Sequence, residues 1–347
     1  MTTAVGDADK QATAPVYTFE RDQAFTNDRC FLCGCALDGV NRTDEHVFPR
    51  WLQRRCDLWS QRLVLLNRTE MPYSQIKIPC CFTCNNIHLS PIENRMKVAF
   101  EAGPDAVRDL DRTDLFVWLA KIYYGLLVVE LFLQADRSDP SSSMILTPEW
   151  VEKFRMHHML MQVARGLVEW EPGKSPASIF VFESQVPSNA RQTFDYRDSL
   201  YFPYLSLRIG KTAVIASLQD WGALEHTVDI PMFNAARRVP LHPQQWRQLH
   251  AMGVYMTSLF DRTPSHMTIA GEASVRIVTM PIAGLSGKPL FRDFNVDDYA
   301  AALAESLEQP IAEIFDGSRV IDVIGKDETV FTFPFGADDN PRLGLNV

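Results

Sequence analysis

Two Cys-x-x-Cys pairs, Cys30-Phe-Leu-Cys33 and Cys81-Phe-Thr-Cys84, constrain this chain more than any other feature in it. Thiolates two residues apart can bind one ion through a tight turn, and zinc prefers four such ligands in a tetrahedron. The 47 residues between the pairs must then fold back on themselves. Cys35 and Cys80 offer alternative ligands, but only Cys81 and Cys84 repeat the two-residue spacer, so Cys30, Cys33, Cys81 and Cys84 are the expected set. Phe31 and Phe82 occupy matching places in the two pairs and could shield the ion. Cys56 reads as a packed or surface thiol. All seven cysteines precede residue 85, whereas a disulfide scaffold would spread them through the fold.

The formal net charge of −9 argues against a uniformly basic nucleic-acid coat. The charge is uneven: residues 1–100 carry +1 and the remainder −10. Between positions 41 and 77 stand seven bases (Arg42, Arg50, Arg54, Arg55, Arg62, Arg68 and Lys77) against four acids. A local basic region on an acidic chain suits a focused phosphate site. Residues 1–26 are polar, with no apolar signal-peptide core, so the reading is a disordered tail on a cytoplasmic protein. The longest apolar run, Leu115 to Ala135, holds Lys121, Glu130 and Gln134, which are costly in a bilayer; it reads as a core helix, with no membrane partner.

Between the cysteine pairs lies Glu45-His46, and Asn85-Asn86 follows the last cysteine. The stretches CFLCGC, TDEHVFPRWL and IPCCFTCNN together resemble the HNH, or ββα-metal, endonucleases stapled by four cysteines. The resemblance spans residues 28–95, about a fifth of the chain. It implies a two-stranded hairpin followed by a helix beginning near Cys84. It further implies His46 as general base, with Glu45 and Asn85 holding one divalent ion, Mg²⁺ or Mn²⁺, beside a structural Zn²⁺. Neutral imidazole can take a proton from water near pH 7, and hard oxygen ligands suit a hard ion. The usual residue before the histidine is Asp. Here Asp44 stands one place earlier, and strand alternation puts it on the face opposite Glu45. The stretch Tyr73 to Pro79 holds no Asn, so Asn67, on a predicted strand over 62–67, would have to orient His46. His88 lies three residues after Asn85 and would share its helix face, as a third metal ligand or as a surface polar residue. Arg50, Arg54 and Arg55 fall on a predicted inserted helix over 49–58, either gripping a DNA backbone or forming a solvated face. Trp51 and Leu52 are expected to pack.

The fold class is therefore α+β: a zinc-stapled ββα-metal module at 27–100, a helical connector at 101–170 and a mixed α+β region at 171–347. The second connector helix is expected from Thr147 to Trp170, started by Thr147-Pro148-Glu149. Further on, the pattern predicts a strand over 179–183, a hairpin over 204–219 around Gly210-Lys211, and a helix over 243–262. Two strands over 266–282 split at Gly271-Glu272, a helix over 296–315 and β structure over 319–335 complete the reading. His157-His158 sits on a Met-rich helical stripe and reads as core. Glu225-His226 reads as surface, and Asp195, Arg197 and Asp198 as a surface ion-pair cluster. The functional expectation is hydrolysis of phosphodiester bonds in nucleic acid, DNA first. The C-terminal region would select substrate, oligomerise or control activity. The rival expectations are a non-catalytic zinc module that binds nucleic acid or protein, and a redox-sensing thiol protein.

Overall fold

A computed structural model describes residues 26–139, 141–145, 154–226, 230–280 and 289–325. The expected tail, the Thr147 helix start and the β structure beyond 325 lie outside them. The chain is mixed α+β. In order it runs β1 (Arg42–His46), α1 (Arg50–Arg55), β2 (Arg62–Val64), β3 (Glu70–Pro72) and β4 (Lys77–Cys81). A π-helical segment, Thr83–Leu89, leads directly into α2 (Ser90–Ala102). Pro91 offers no N–H to the turn before it, and the Ser90 N–H reaches back five residues to the Asn85 carbonyl, which widens that turn. α3 (Pro104–Arg108) and α4 (Arg112–Leu131) follow, the latter capped by Asp111, whose carboxylate accepts from the Thr113 and Asp114 amides.

The second expected connector helix is broken. α5 (Arg155–Met161) passes into a 3₁₀ turn, Gln162–Arg165, and ends at Gly166, whose φ of 72° favours glycine. Val168, Glu169 and Trp170 then form β5, which extends a sheet instead of a helix. The remaining elements are β6 (Ser178–Glu183), β7 (Phe194–Ser199), β8 (Tyr204–Ile209), β9 (Thr212–Ser217), α6 (Ala223–His226), α7 (Pro231–Ala236), α8 (Pro243–Ser258), β10 (His266–Ala270), β11 (Val275–Thr279), α9 (Val296–Leu307) and α10 (Ile311–Ile314). The expected helix over 296–315 divides at Glu308, which adopts the left-handed conformation ahead of Pro310. The described part of the expected last β segment holds one bridge, Phe315 to Val320.

The central sheet has the order β6-β9-β8-β7, antiparallel throughout. Its inner strands are buried on both faces. Leu205, Leu207, Ile209, Val214 and Ala216 point to one core, while Tyr204, Ala213 and Ile215 point to a second. That is the period of two expected of a strand. The first core takes in α4 and the whole cysteine region. The second takes in Trp246 and Leu249 of α8, onto whose far side α9 packs. The sequence boundary near residue 100 is thus no boundary in packing. Glu225 is likewise not a free surface group: it pairs with Arg112 at 2.5 Å and ties α6 to α4.

α4 is buried almost all round and crosses the β1-β4 pair at Gly125. A Cβ there would stand 2.9 Å from a Val47 methyl and 3.2 Å from Ile78 Cδ1, so the approach requires the missing side chain. Gly125→Ala gains about 1 kcal/mol of helix propensity but sets its methyl against the stiff Val47 side chain and is expected to be net destabilising. Gly125→Leu is expected to cost about 1–3 kcal/mol through overpacking, read as a lower urea midpoint at an unchanged slope.

Candidate functional site

The first cysteine pair sits on a turn in which the Gly34 amide donates to the Cys30 carbonyl at 2.8 Å and the Cys30 amide to the Cys35 carbonyl at 2.9 Å. Gly34, at φ 71°, turns the chain there. The second pair starts on the last residue of β4, where the Cys84 amide donates to Cys81 Sγ at 3.4 Å. The sulfurs of Cys30, Cys33, Cys81 and Cys84 all lie within 4.8 Å of one another, and Cys33 Sγ is 3.7 Å from Cys81 Sγ. Zinc–sulfur bonds of about 2.3 Å in a tetrahedron require sulfurs roughly 3.8 Å apart, so the four residues fit an ion such as zinc. Neighbouring thiols that donate to Cys30 pull its pKa far down, while the same contacts push Cys84 and Cys33 up. Holding all four as thiolates at this spacing would take a cation between them. Among the described residues this is the one group of three or more Cys, His, Asp or Glu donors that converges in this way.

The neighbouring thiols stand apart from the set. Cys80 Sγ is 4.0 Å from Cys30 Sγ yet outside the four, Cys35 is exposed, and Cys56 is buried elsewhere. The two phenylalanines do not act alike: Phe31 is fully buried, while Phe82 is 55% exposed and shields nothing. Instead α5 clamps the first turn. His158 Nε2 donates to the Phe31 carbonyl and the Gln162 amide to the Leu32 carbonyl, each at 2.9 Å. His157 donates to the Ala120 carbonyl at 3.1 Å and stacks on Tyr124, so both histidines belong to the core as expected.

Strand β1 pairs antiparallel with β4, setting Arg42 opposite Cys81 and His46 opposite Lys77. The four-cysteine cluster and the Glu45-His46 pair thus share one two-stranded frame. Alternation separates the two acids: Asp44 is exposed with a 3.8 Å contact to Arg42, while Glu45 is buried. Glu45 Oε1 accepts from Lys121 Nζ at 2.7 Å. The same ammonium donates to Glu93 Oε1 at 2.5 Å and to the His46 carbonyl at 2.9 Å. Burial opposes the charge on Lys121, but Glu45 and Glu93 outweigh it and hold the amine protonated. Burial also pushes the Glu45 carboxyl up to about 7.

His46 is half-buried, and its Nε2 is enclosed with no hydrogen-bond partner. Burial first, then the charges of Lys77, Arg50 and Lys121, bring its pKa down to about 4, with Glu93 pulling the other way. The ring is therefore neutral at pH 7. Asn85 Nδ2 donates to Thr43 Oγ1 at 3.1 Å, and that hydroxyl donates to the Cys80 carbonyl at 2.9 Å. This pairing leaves the Asn85 Oδ1, the atom that could ligate a cation, outside the bond. Thr43 and Glu45 lie two apart on one strand face, so the Asn85 amide and the Glu45 carboxylate approach the same side of β1. Glu45 retains a second oxygen beyond the one that meets Lys121.

Other expected residues lie elsewhere. His88 faces the Ala164 backbone and Arg165; burial first, then the Arg165 charge, lower its pKa, with the Ala164 carbonyl pulling the other way, and the wide π turn carries it off the Asn85 face that α-helical spacing predicts. Asn67 donates to the Gln134 carbonyl and accepts from the Thr69 amide, which makes it a turn former with no contact to His46. Asn86 is exposed and bonds the Phe82 carbonyl. Arg50 and Arg54 are exposed on α1, while Arg55 lies against the β8–β9 turn at Gly210. Trp51 and Leu52 pack inward, Trp51 stacking on Trp118. Lys121 and Glu93 were not candidates on sequence. The signal was a lysine amid an apolar run, since a buried amine must find carboxylates.

No family model matches this chain, and neither does any curated protein or solved structure. The site is read from its own chemistry.

Two outcomes test this arrangement. Purified protein is expected to carry one zinc per chain by elemental analysis, with Cys84→Ser abolishing it and Cys35→Ser retaining it. Burial holds His157 and His158 at about 4, against an ordinary value of 6.5. A depressed folded pKa gives stability that is full above the unfolded value and falls away as pH drops toward 4. Each ring thus contributes up to about 3 kcal/mol at pH 7. Urea midpoints are expected to fall steadily from pH 7 to pH 4, and a midpoint flat across that window would contradict the assignment.

Proposed function

We propose that this protein is a metal-dependent endonuclease of the HNH type, its residues 27–100 forming a zinc-stapled ββα-metal module. The observation that carries the reading is one frame holding three things together. The strand ending in Cys81 pairs with the strand bearing Glu45-His46, and the helical segment that starts beyond Cys81 bonds back to that strand through Asn85.

In this reading His46 is the general base. Its neutral imidazole takes the proton of a water that attacks phosphorus. Arg50 and Lys77, the charges that keep the ring neutral, also favour an approaching phosphate, and the exposed Arg54 extends that surface along α1. Glu45 and Asn85 would hold the divalent ion, Mg²⁺ or Mn²⁺, which stabilises charge on the phosphate and the leaving oxygen when bound. The zinc takes no part in the reaction. It fixes the turn, the strands and the helix to one another, and such sites are worth roughly 10–16 kcal/mol of apparent binding energy.

A second reading, a zinc module that binds nucleic acid or protein without cleaving it, rests on the engagement of Glu45 by Lys121. Incubation of supercoiled plasmid and of single-stranded RNA with Mg²⁺ or Mn²⁺ separates the two. His46→Ala is expected to slow cleavage by a factor on the order of 10²–10⁴ while zinc content stays unchanged. Equal inactivity of wild type and variant with both ions and both substrates would favour the binding module.

A further inference from the structure

The second strand offers no amide to orient His46, and Asn67 does not reach it. A different group does. Lys121 Nζ, 1% exposed, spends its three N–H donors on the His46 carbonyl, the Glu45 carboxylate and the Glu93 carboxylate. We infer that Lys121 is the positioning residue of the His46 site, tethering β1 by the His46 carbonyl and by Glu45 so that the imidazole is presented in one orientation. The inference rests on the nuclease reading for its catalytic consequence. The tether itself can be measured without it.

Three observations support it. First, the ammonium is saturated: three donors meet three oxygens between 2.5 and 2.9 Å, so its position is over-determined. Second, it grips both His46 and the residue before it, which fixes the strand's local twist as well as its depth. Third, α4 is brought to β1 and β4 by Gly125, one turn along the same helix from Lys121. The helix that carries the amine cannot drift from the strand that carries the imidazole without losing packing at Val47 and Ile78. Glu93 completes the arrangement from α2, the helix continuous with the Asn85 segment. One buried cation therefore links β1, α2 and α4, the two elements bearing the candidate site and the helix behind them.

Neutralising Lys121 alone would leave two carboxylates facing each other without a cation, so the test pairs the changes. Lys121→Met/Glu93→Gln removes one positive and one negative charge together. The full chain is used. It is expected to keep its zinc and to stay folded at the assay temperature, with a lowered thermal transition because Glu45 loses its cation. The rate of His46 carbethoxylation by diethyl pyrocarbonate, followed by peptide mass spectrometry, is expected to rise several-fold as the ring gains freedom. On the nucleic-acid substrate that the wild type cleaves, kcat is expected to fall on the order of 100-fold, the effect of misplacing a reacting group by about 1 Å, with KM essentially unchanged. A folded variant whose His46 is modified at the wild-type rate overturns the tether. Faster modification with unchanged kcat overturns the positioning role. Should the wild type cleave nothing, the nuclease reading fails, and the modification rate still decides the tether. Where the methionine pair does not fold, Lys121→Gln/Glu93→Gln keeps an N–H donor at the position and is read by the same two measurements.

Discussion

Lys121 lies on a helix that is apolar on every side, and the oxygens of Glu45, Glu93 and His46 are what make its charge tolerable there. A buried ion pair of this kind adds little net stability, because desolvating the charges offsets most of their attraction. Removing one member is a different matter, and costs on the order of 3–5 kcal/mol by stranding the rest. Such a group specifies an arrangement more than it strengthens one. In this chain it joins a strand, a helix of the cysteine region and the helix against the central sheet. The four-thiol cluster does similar work at the other end of β4, where sulfur geometry sets how Cys30-Cys33 meets Cys81-Cys84.

The central sheet explains how an N-terminal site can depend on residues far along the chain. Its inner strands are buried on both faces, so a second layer of helices is needed on each side. α8 covers one face, and α4 with the cysteine region covers the other. The ion pairs at the edge of this assembly are more than surface decoration. Asp195 and Arg247, each about 15% exposed, join β7 to α8, and Arg197 reaches Glu308 beyond α9.

Much of this was legible because it is local. The cysteine spacing names its own ligands, Gly210-Lys211 marks the β8–β9 turn, and period-two alternation gives the strands that pair there. Pro243 with its capping residues starts α8 where the pattern puts it. What was not legible is non-local or depends on a single backbone detail. Nothing near Lys121 in sequence says that its partners stand 76 and 28 residues away. Asn85 and His88 share a face in an α-helix, and only the π turn ahead of Pro91 separates them. Gly166 stops α5 short and frees Val168 to Trp170 for a sheet whose partner strand lies a hundred residues on. Alternation puts Asp44 and Glu45 on opposite faces, as expected, although the group that Glu45 meets comes from outside the motif.

Phe48, just past β1, packs edge-on against Tyr73 of its own region and against Phe194 and Tyr196 of the central sheet, with ring centroids 4.9 to 5.9 Å apart. That shared aromatic cluster bears on modularity. The cysteine region has the outline of a transplantable cassette, yet one wall of its interior is built from a strand more than a hundred residues downstream. Excised, it would carry an unroofed set of rings into water. The cysteine region and the edge of the central sheet therefore share one interior, and neither closes its aromatic core without the other.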